Sequence, residues 1–225
     1  MKAARVASVV FLVGVFALVL YAGWEKRGPN QFEAPFNPGG KIVLDLSAGG
    51  YRIKGTAENV IRVAPDENRA EIHCRMSVIG GNAKVSVDGP SDNFKATIYV
   101  PQRSNITVDQ TLGDMEVSGV HGNENLSLAI GRIEVEVPDS DSTPTFDGSV
   151  MLGGLRATNW HVEKGGFFRS FYADSNGSPY RINASVSIGD LETSSFVPSV
   201  GVSHPKQSGD TDEDMPDQDS QDDSH

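Results

Sequence analysis

The chain has 225 residues and a single cysteine, Cys74. It can therefore form no internal disulfide, and its stability has to come from packing. Cys74 lies far from the N-terminus, which excludes a lipid-bearing N-terminal cysteine. Basic residues are also scarce: 19 Lys and Arg stand against 30 Asp and Glu, for a net charge of −11. Nucleic-acid binding wants a basic footprint, so this balance argues against that class of function. The five histidines, His73, His121, His161, His204 and His225, are scattered with no zinc-ligand spacing. Neither a phosphate loop nor a nucleophile elbow occurs. After Trp24, no window longer than a few residues has helical spacing.

What the chain does have begins with one long hydrophobic run. Lys2 and Arg5 precede an uncharged stretch of 19 residues, Val6 to Trp24. As a helix it would span about 28 Å at roughly 1.5 Å per residue, close to a ~30 Å hydrocarbon core. Tyr21 and Trp24 fall where interfacial aromatics belong, and Glu25, Lys26 and Arg27 mark the exit into water. A retained transmembrane anchor is the expectation. The competing reading is a cleaved signal peptide, for which Leu20-Tyr21-Ala22 offers a poor cleavage site. Residues 25–40, with Pro29, Pro35 and Pro38, read as a linker, from which Phe32 and Phe36 could dock on the domain base.

The region 41–197 is organised by one short pattern, apolar–Gly–x–apolar. It occurs at Leu112-Gly113-Asp114-Met115, Ile130-Gly131-Arg132-Ile133, Leu152-Gly153-Gly154-Leu155 and Ile188-Gly189-Asp190-Leu191, with a looser copy at Ala48 to Tyr51. The glycines are 18, 22 and 36 residues apart, so the last step is about two of the first. Such spacing suggests stacked supersecondary units. Around each glycine, apolar and polar residues alternate as in strands, and the parity flips across it: Leu126, Leu128 and Ile130 give way to Ile133, Val135 and Val137. A tight corner with both flanking side chains pointing inward would produce that flip, and glycine suits it because it accepts positive φ. The expected fold is all-β, a single-domain, parallel β-helix-like solenoid of strand, glycine corner and strand. Gly49 to Gly55 and Gly113 to Gly119 share the form Gly-x-apolar-x-apolar-x-Gly, an internal repeat. Between them, Gly80-Gly81-Asn82 and Asp88-Gly89-Pro90 separate strands expected to pair with the stack as hairpins.

The rung missing between Gly153 and Gly189 should lie in or near the aromatic segment. Trp160, Phe167, Phe168, Phe171 and Tyr172 there read either as core filling at the end of the stack or as a surface platform for a sugar or peptide. They are the candidate partner contacts, along with outer strand faces around Arg156 and Thr158. From Ser203 on, eight carboxylates oppose Lys206 alone, a net −7 that leaves −4 for everything else. Residues 198–225 are read as a disordered acidic tail.

No residue is assigned as catalytic, cofactor-binding or metal-ligating. His73 and Cys74 alternate in a strand and so cannot share a metal. Cys74 has the inward parity of Ile72 and Met76 and reads as core. His161 and Glu163 share a strand face, a weak acid–base or metal pair at most. Asp114 and Asp190 recur at the corner, but Arg132 replaces them in a third copy, against a calcium repeat. Their expected role is to accept hydrogen bonds from nearby backbone N–H groups.

From Gly40 to Thr193 the sequence resembles a bacterial β-solenoid family of adhesin-like, or toast-rack, domains. The carrying residues are Gly49 to Val63, Phe94 to Pro101, Thr111 to Val120 and Ser187 to Leu191. The resemblance implies an envelope location on a membrane-anchored protein and supplies no catalytic residue. The expected function is a non-catalytic binding or scaffold module outside the cytoplasm. Its expected partners are the membrane, through the N-terminal helix, and an envelope protein or glycan. Two other classes stay open: a membrane-stress or signalling sensor, and a polysaccharide-cleaving enzyme of the kind β-solenoids can host. If residues 6–24 are cleaved, the domain would be secreted or periplasmic.

Overall fold

Alternation of apolar and polar residues dictates strands, and strands account for nearly all of the regular structure. The computed structural model describes residues 32–66, 72–90, 93–138, 143–175 and 177–196. The expected anchor at 6–24 and the acidic tail at 198–225 lie outside the described residues. Among the described residues the fold is all-β: twelve strands in one mixed sheet, with one 3-10 turn, Thr158–Trp160.

In chain order the strands are β1 (Phe32–Pro35), β2 (Lys41–Leu46), β3 (Gly49–Thr56), β4 (Val60–Pro65), β5 (His73–Ile79) and β6 (Asn82–Asp88). They continue as β7 (Lys95–Pro101), β8 (Asn105–Ser118), β9 (Glu124–Pro138), β10 (Thr145–Ala157), β11 (Val162–Ala173) and β12 (Arg181–Phe196). The main path through the sheet runs β1-β4-β7-β3-β8-β9-β12-β10-β11, with β2 bridging β6 and β8, and β5 closing a hairpin on β6.

The long strands each carry their glycine at mid-length, and those glycines stand side by side. Gly49 pairs with Gly113, Gly113 with Gly131, Gly131 with Gly189, Gly189 with Gly153 and Gly153 with Gly166. The two copies of the Gly-x-apolar-x-apolar-x-Gly segment therefore lie next to each other in register. Backbone shape explains the column. Gly113, Gly131, Gly153 and Gly189 have φ between +115° and +144°, where other residues are strained. A Cβ at Gly131 would also land on the carbonyl oxygen of Gly113, and one at Gly189 on that of Gly131. Each corner thus requires glycine both for its own dihedral and for its neighbour's clearance. Gln110, buried inside the bend, donates to the carbonyls of Gly49 (2.8 Å) and Leu112 (3.0 Å) and ties two adjacent corners together.

Both arms of each corner bury their apolar residues in one continuous core. Along β8, Ile106 and Val108 are buried before the corner and Met115 and Val117 after it; Leu126 and Leu128 match Ile133 and Val135 in β9. The parity flip is there, but its expected geometry needs correction. The residue before each glycine does not point inward: Leu112, Ile130, Leu152 and Ile188 are 38–47% exposed. At the bend the chain passes around the outside of the core, and the buried series resumes only two residues past the glycine.

The order of strands is corrected as well. A solenoid read along the chain would place β12 last, yet β12 inserts between β9 and β10 in parallel with both. The strand after β10 is β11, and it runs antiparallel, so the rungs are not all parallel. The aromatic segment does hold a strand with its own corner glycine, Gly166. Part of the stretch read as linker is also ordered. β1 pairs antiparallel with β4, Phe36 is buried, and its N–H donates to the Asn59 carbonyl at 2.9 Å.

Candidate functional site

Because the corner residues face out, the register that aligns the glycines also aligns the apolar side chains before them. Leu112, Ile130, Ile188 and Leu152 are consecutive neighbours across β8, β9, β12 and β10, and Phe167 of β11 follows Leu152. Phe167 is 67% exposed, Phe168 beside it 79%, and Met151 47%. At about 4.8 Å per strand, five strands make a ridge roughly 19 Å long. Contiguous exposed apolar surface of this kind is characteristic of contact sites, whereas single exposed apolar residues are ordinary. Sequence reasoning missed the four corner residues. The available signal was the apolar residue immediately before Gly113, Gly131, Gly153 and Gly189, read there as core.

The five aromatic candidates divide into two groups. The turn Thr158–Trp160 and the left-handed His161 (φ 56°) swing the chain from β10 into β11. The turn is held by the Thr158 hydroxyl donating to the Thr193 carbonyl and by the Thr193 hydroxyl donating to the Asn159 side chain at 3.0 Å. This places Trp160 against buried Phe146, stacked at 5.4 Å, and against Phe171 at 5.5 Å. Lys164 Nζ lies over the Phe171 ring, 5.9 Å from its centre. Trp160 and Phe171 are thus packing residues at the end of the core. Phe167, Phe168 and Tyr172 remain exposed, and the first two continue the ridge.

Beside the ridge lies a shallow charged groove formed by β10, β11 and β12. Arg156 donates to Glu192 and to Glu163, each at 3.0 Å, and Arg132 pairs with Glu192 and, at 3.5 Å, with Glu134. Exposed pairs of this sort add little stability. Their chemical consequence is larger: the Glu163 carboxylate, suggested as a partner of His161, is engaged by Arg156. Asp190 accepts from the Gly154 N–H at 2.9 Å, the role expected of a corner aspartate. Among the described residues, no group of three or more His, Cys, Asp or Glu side chains is arranged to hold a metal. Cys74 is half-buried, and burial pushes its thiol up to about 12, so it is an unreactive packing residue.

One polar feature was not foreseen. Glu124, at the start of β9 between Ile106 and Ile182, is buried, and burial raises its carboxyl to about 8. It is therefore largely protonated at neutral pH. Tyr180 is also buried, and its phenol is raised first by burial and then by the charge of Glu124. The His121 ring meets Tyr180 edge-on at 6.4 Å. Nothing in the alternation Glu124, Leu126, Leu128 marked the glutamate as internal except its parity.

No protein-family profile matches the chain, and no curated protein matches it. Solved structures are similar to it at low identity. A candidate cell adhesion protein from Clostridium sporogenes is 14% identical over 75% of this chain and 100% of its own, with a TM-score of 0.42. Candidate adhesins from Parabacteroides merdae (9% identity, 73% of this chain, 75% of its own) and Bacteroides fragilis (10%, 73% and 96%) each have a TM-score of 0.24.

Proposed function

We propose that this chain is a non-catalytic binding or scaffold module of the bacterial cell envelope, built as an adhesin-like β-solenoid. In this reading residues 6–24 hold it at the membrane with the β domain outside the cytoplasm. The observation that carries the binding role is the ridge Leu112–Ile130–Ile188–Leu152–Phe167, exposed apolar surface laid on corners where glycine packs closely against glycine. A rigid platform loses little entropy when it binds, which favours recognition.

The test uses the full chain in native membranes, with cross-linking and recovery of whatever it contacts. Ile130→Glu is expected to reduce recovery of the contacted species at least tenfold while leaving thermal unfolding unchanged. Undiminished recovery would remove the ridge from the function. Reproducible conversion of envelope polysaccharide or peptidoglycan fragments would overturn the non-catalytic reading. Placement is tested by the mass of the mature N-terminus: an intact start supports the anchor, and a chain beginning near Gly23 refutes it.

A further inference from the structure

The ridge is tapered, and the taper identifies what it fits. Its first column, in spatial order, is Leu112, Ile130, Ile188, Leu152 and Phe167. The adjoining exposed positions in the same order are Thr111, Ala129, Ser187, Met151 and Phe168. Small residues at the β8 end give way to methionine and phenylalanine at the β11 end. A flat partner would touch only the wide end. A second ridge turned end for end would compensate the taper: the Phe167 and Phe168 end of one copy would lie over the Leu112 and Thr111 end of the other, with Ile188 opposite Ile188.

The amount of surface agrees. Seven large apolar side chains at 38–79% exposure offer on the order of 600 Å². Two such faces bury about 1,200 Å², the lower bound of standard specific interfaces. Strand addition at the free edge of β11, beside the ridge, is a competing route to self-association, and it is obstructed. The carbonyls of Gly165 and Ser170 already accept from the side chains of Arg169 (2.7 Å) and Lys164 (2.8 Å), and Phe168 sits at φ 51°, which breaks the straight edge. With that edge obstructed, association at the β11 end of the sheet falls to side chains on the ridge.

We propose that the ridge is a self-association surface on which a second copy of this chain packs antiparallel, about a two-fold axis at Ile188. The proposal rests on the reading of the ridge as a contact surface and names its occupant. It is tested on the full chain in membranes, with Cys74→Ser as background. Ile188→Cys is expected to give a covalent dimer as the main product with a short bismaleimide. Leu112→Cys and Phe167→Cys should each cross-link at least fivefold less alone than when the two chains are co-expressed. Adding Ile130→Glu to Ile188→Cys should cut the dimer at least tenfold without moving the melting temperature. As a second measurement, the unaltered chain in mild detergent should sediment at twice its 24.1 kDa. A monomer mass overturns the proposal. So does an Ile188→Cys thiol that takes a monofunctional maleimide yet gives no dimer, and so does a Leu112→Cys chain that dimerises alone as well as in the mixture. If recovery of a different envelope component depends on the ridge while these cross-links fail, the contact-surface reading stands and self-association does not.

Discussion

Gly131 and Gly166 occupy the same column of the sheet, yet their surroundings differ. Gly131 is flanked on both sides by other strands, in register with Gly113 and Gly189, and a side chain there would meet backbone. Gly166 has a strand on one side only, and a Cβ there would meet the end of the flexible Arg169 side chain. Both have positive φ, +137° and +112°. The dihedral is a local requirement that the two share, whereas the packing requirement exists only where the sheet continues on both sides. Rigidity is thus concentrated in the central ladder, and β11, at the edge, is where the chain can display phenylalanines.

The largest effect expected from this contrast is at the ladder. Gly131→Val, or Gly189→Val, combines a strained dihedral with a backbone collision and should cost about 4 kcal/mol or more. Urea unfolding that matches the unaltered chain would show that the column does not hold the fold. A smaller effect, about 2 kcal/mol, is expected for Phe171→Ala, which opens the contact with Trp160 and Phe146.

Glu124 tests the ladder by pH. Its folded carboxyl is raised to about 8, against about 4.3 for an unfolded chain, so the folded state holds the extra proton between those values. Its contribution is fully present below about pH 4 and is lost as pH rises towards 8, by roughly 1–3 kcal/mol after allowance for relaxation around the buried group. Glu124→Gln should flatten that slope in thermal melts taken from pH 5 to pH 8. A slope unchanged by the substitution would place its origin elsewhere.

At the edge the expected changes are small. Gly166→Ala should cost about 1 kcal/mol, from its dihedral alone. Phe168→Ala should leave stability within about 0.5 kcal/mol, as for an exposed side chain. If Gly166→Ala proves as damaging as Gly131→Val, the distinction between ladder and edge fails.

Much of this could be read before the fold was known. The alternation around Ile130 and Ile133 defined strands, and the recurrent glycines defined corners, because both depend on the backbone preferences of a few adjacent residues. The aromatic segment was legible as a rung with packing and display as its two readings, but the division of Trp160 and Phe171 from Phe167 and Phe168 was not. Which ring is buried depends on the turn at Thr158–Trp160 and on Phe146, distant in sequence. The ridge was missed because the outward direction of Ile130 or Ile188 is set by the bend of the whole strand stack, while hydropathy alone marks both as core.

By itself, then, the sequence determined the all-β class, the positions of the corners and the arms that bury Ile106 and Met115, or Leu128 and Ile133. These follow from local periodicity and from glycine's freedom at φ above zero. Only the tertiary structure decided that β12 enters between β9 and β10, that β11 returns antiparallel, and that Leu112, Ile130, Ile188, Leu152 and Phe167 become neighbours on the outside. Strands of equal pattern can pair in several orders with almost the same local energy. Pairing glycine with glycine sets the register between neighbours, but every one of these strands carries such a glycine, so their order depends on contacts between distant segments that no single stretch of the chain contains.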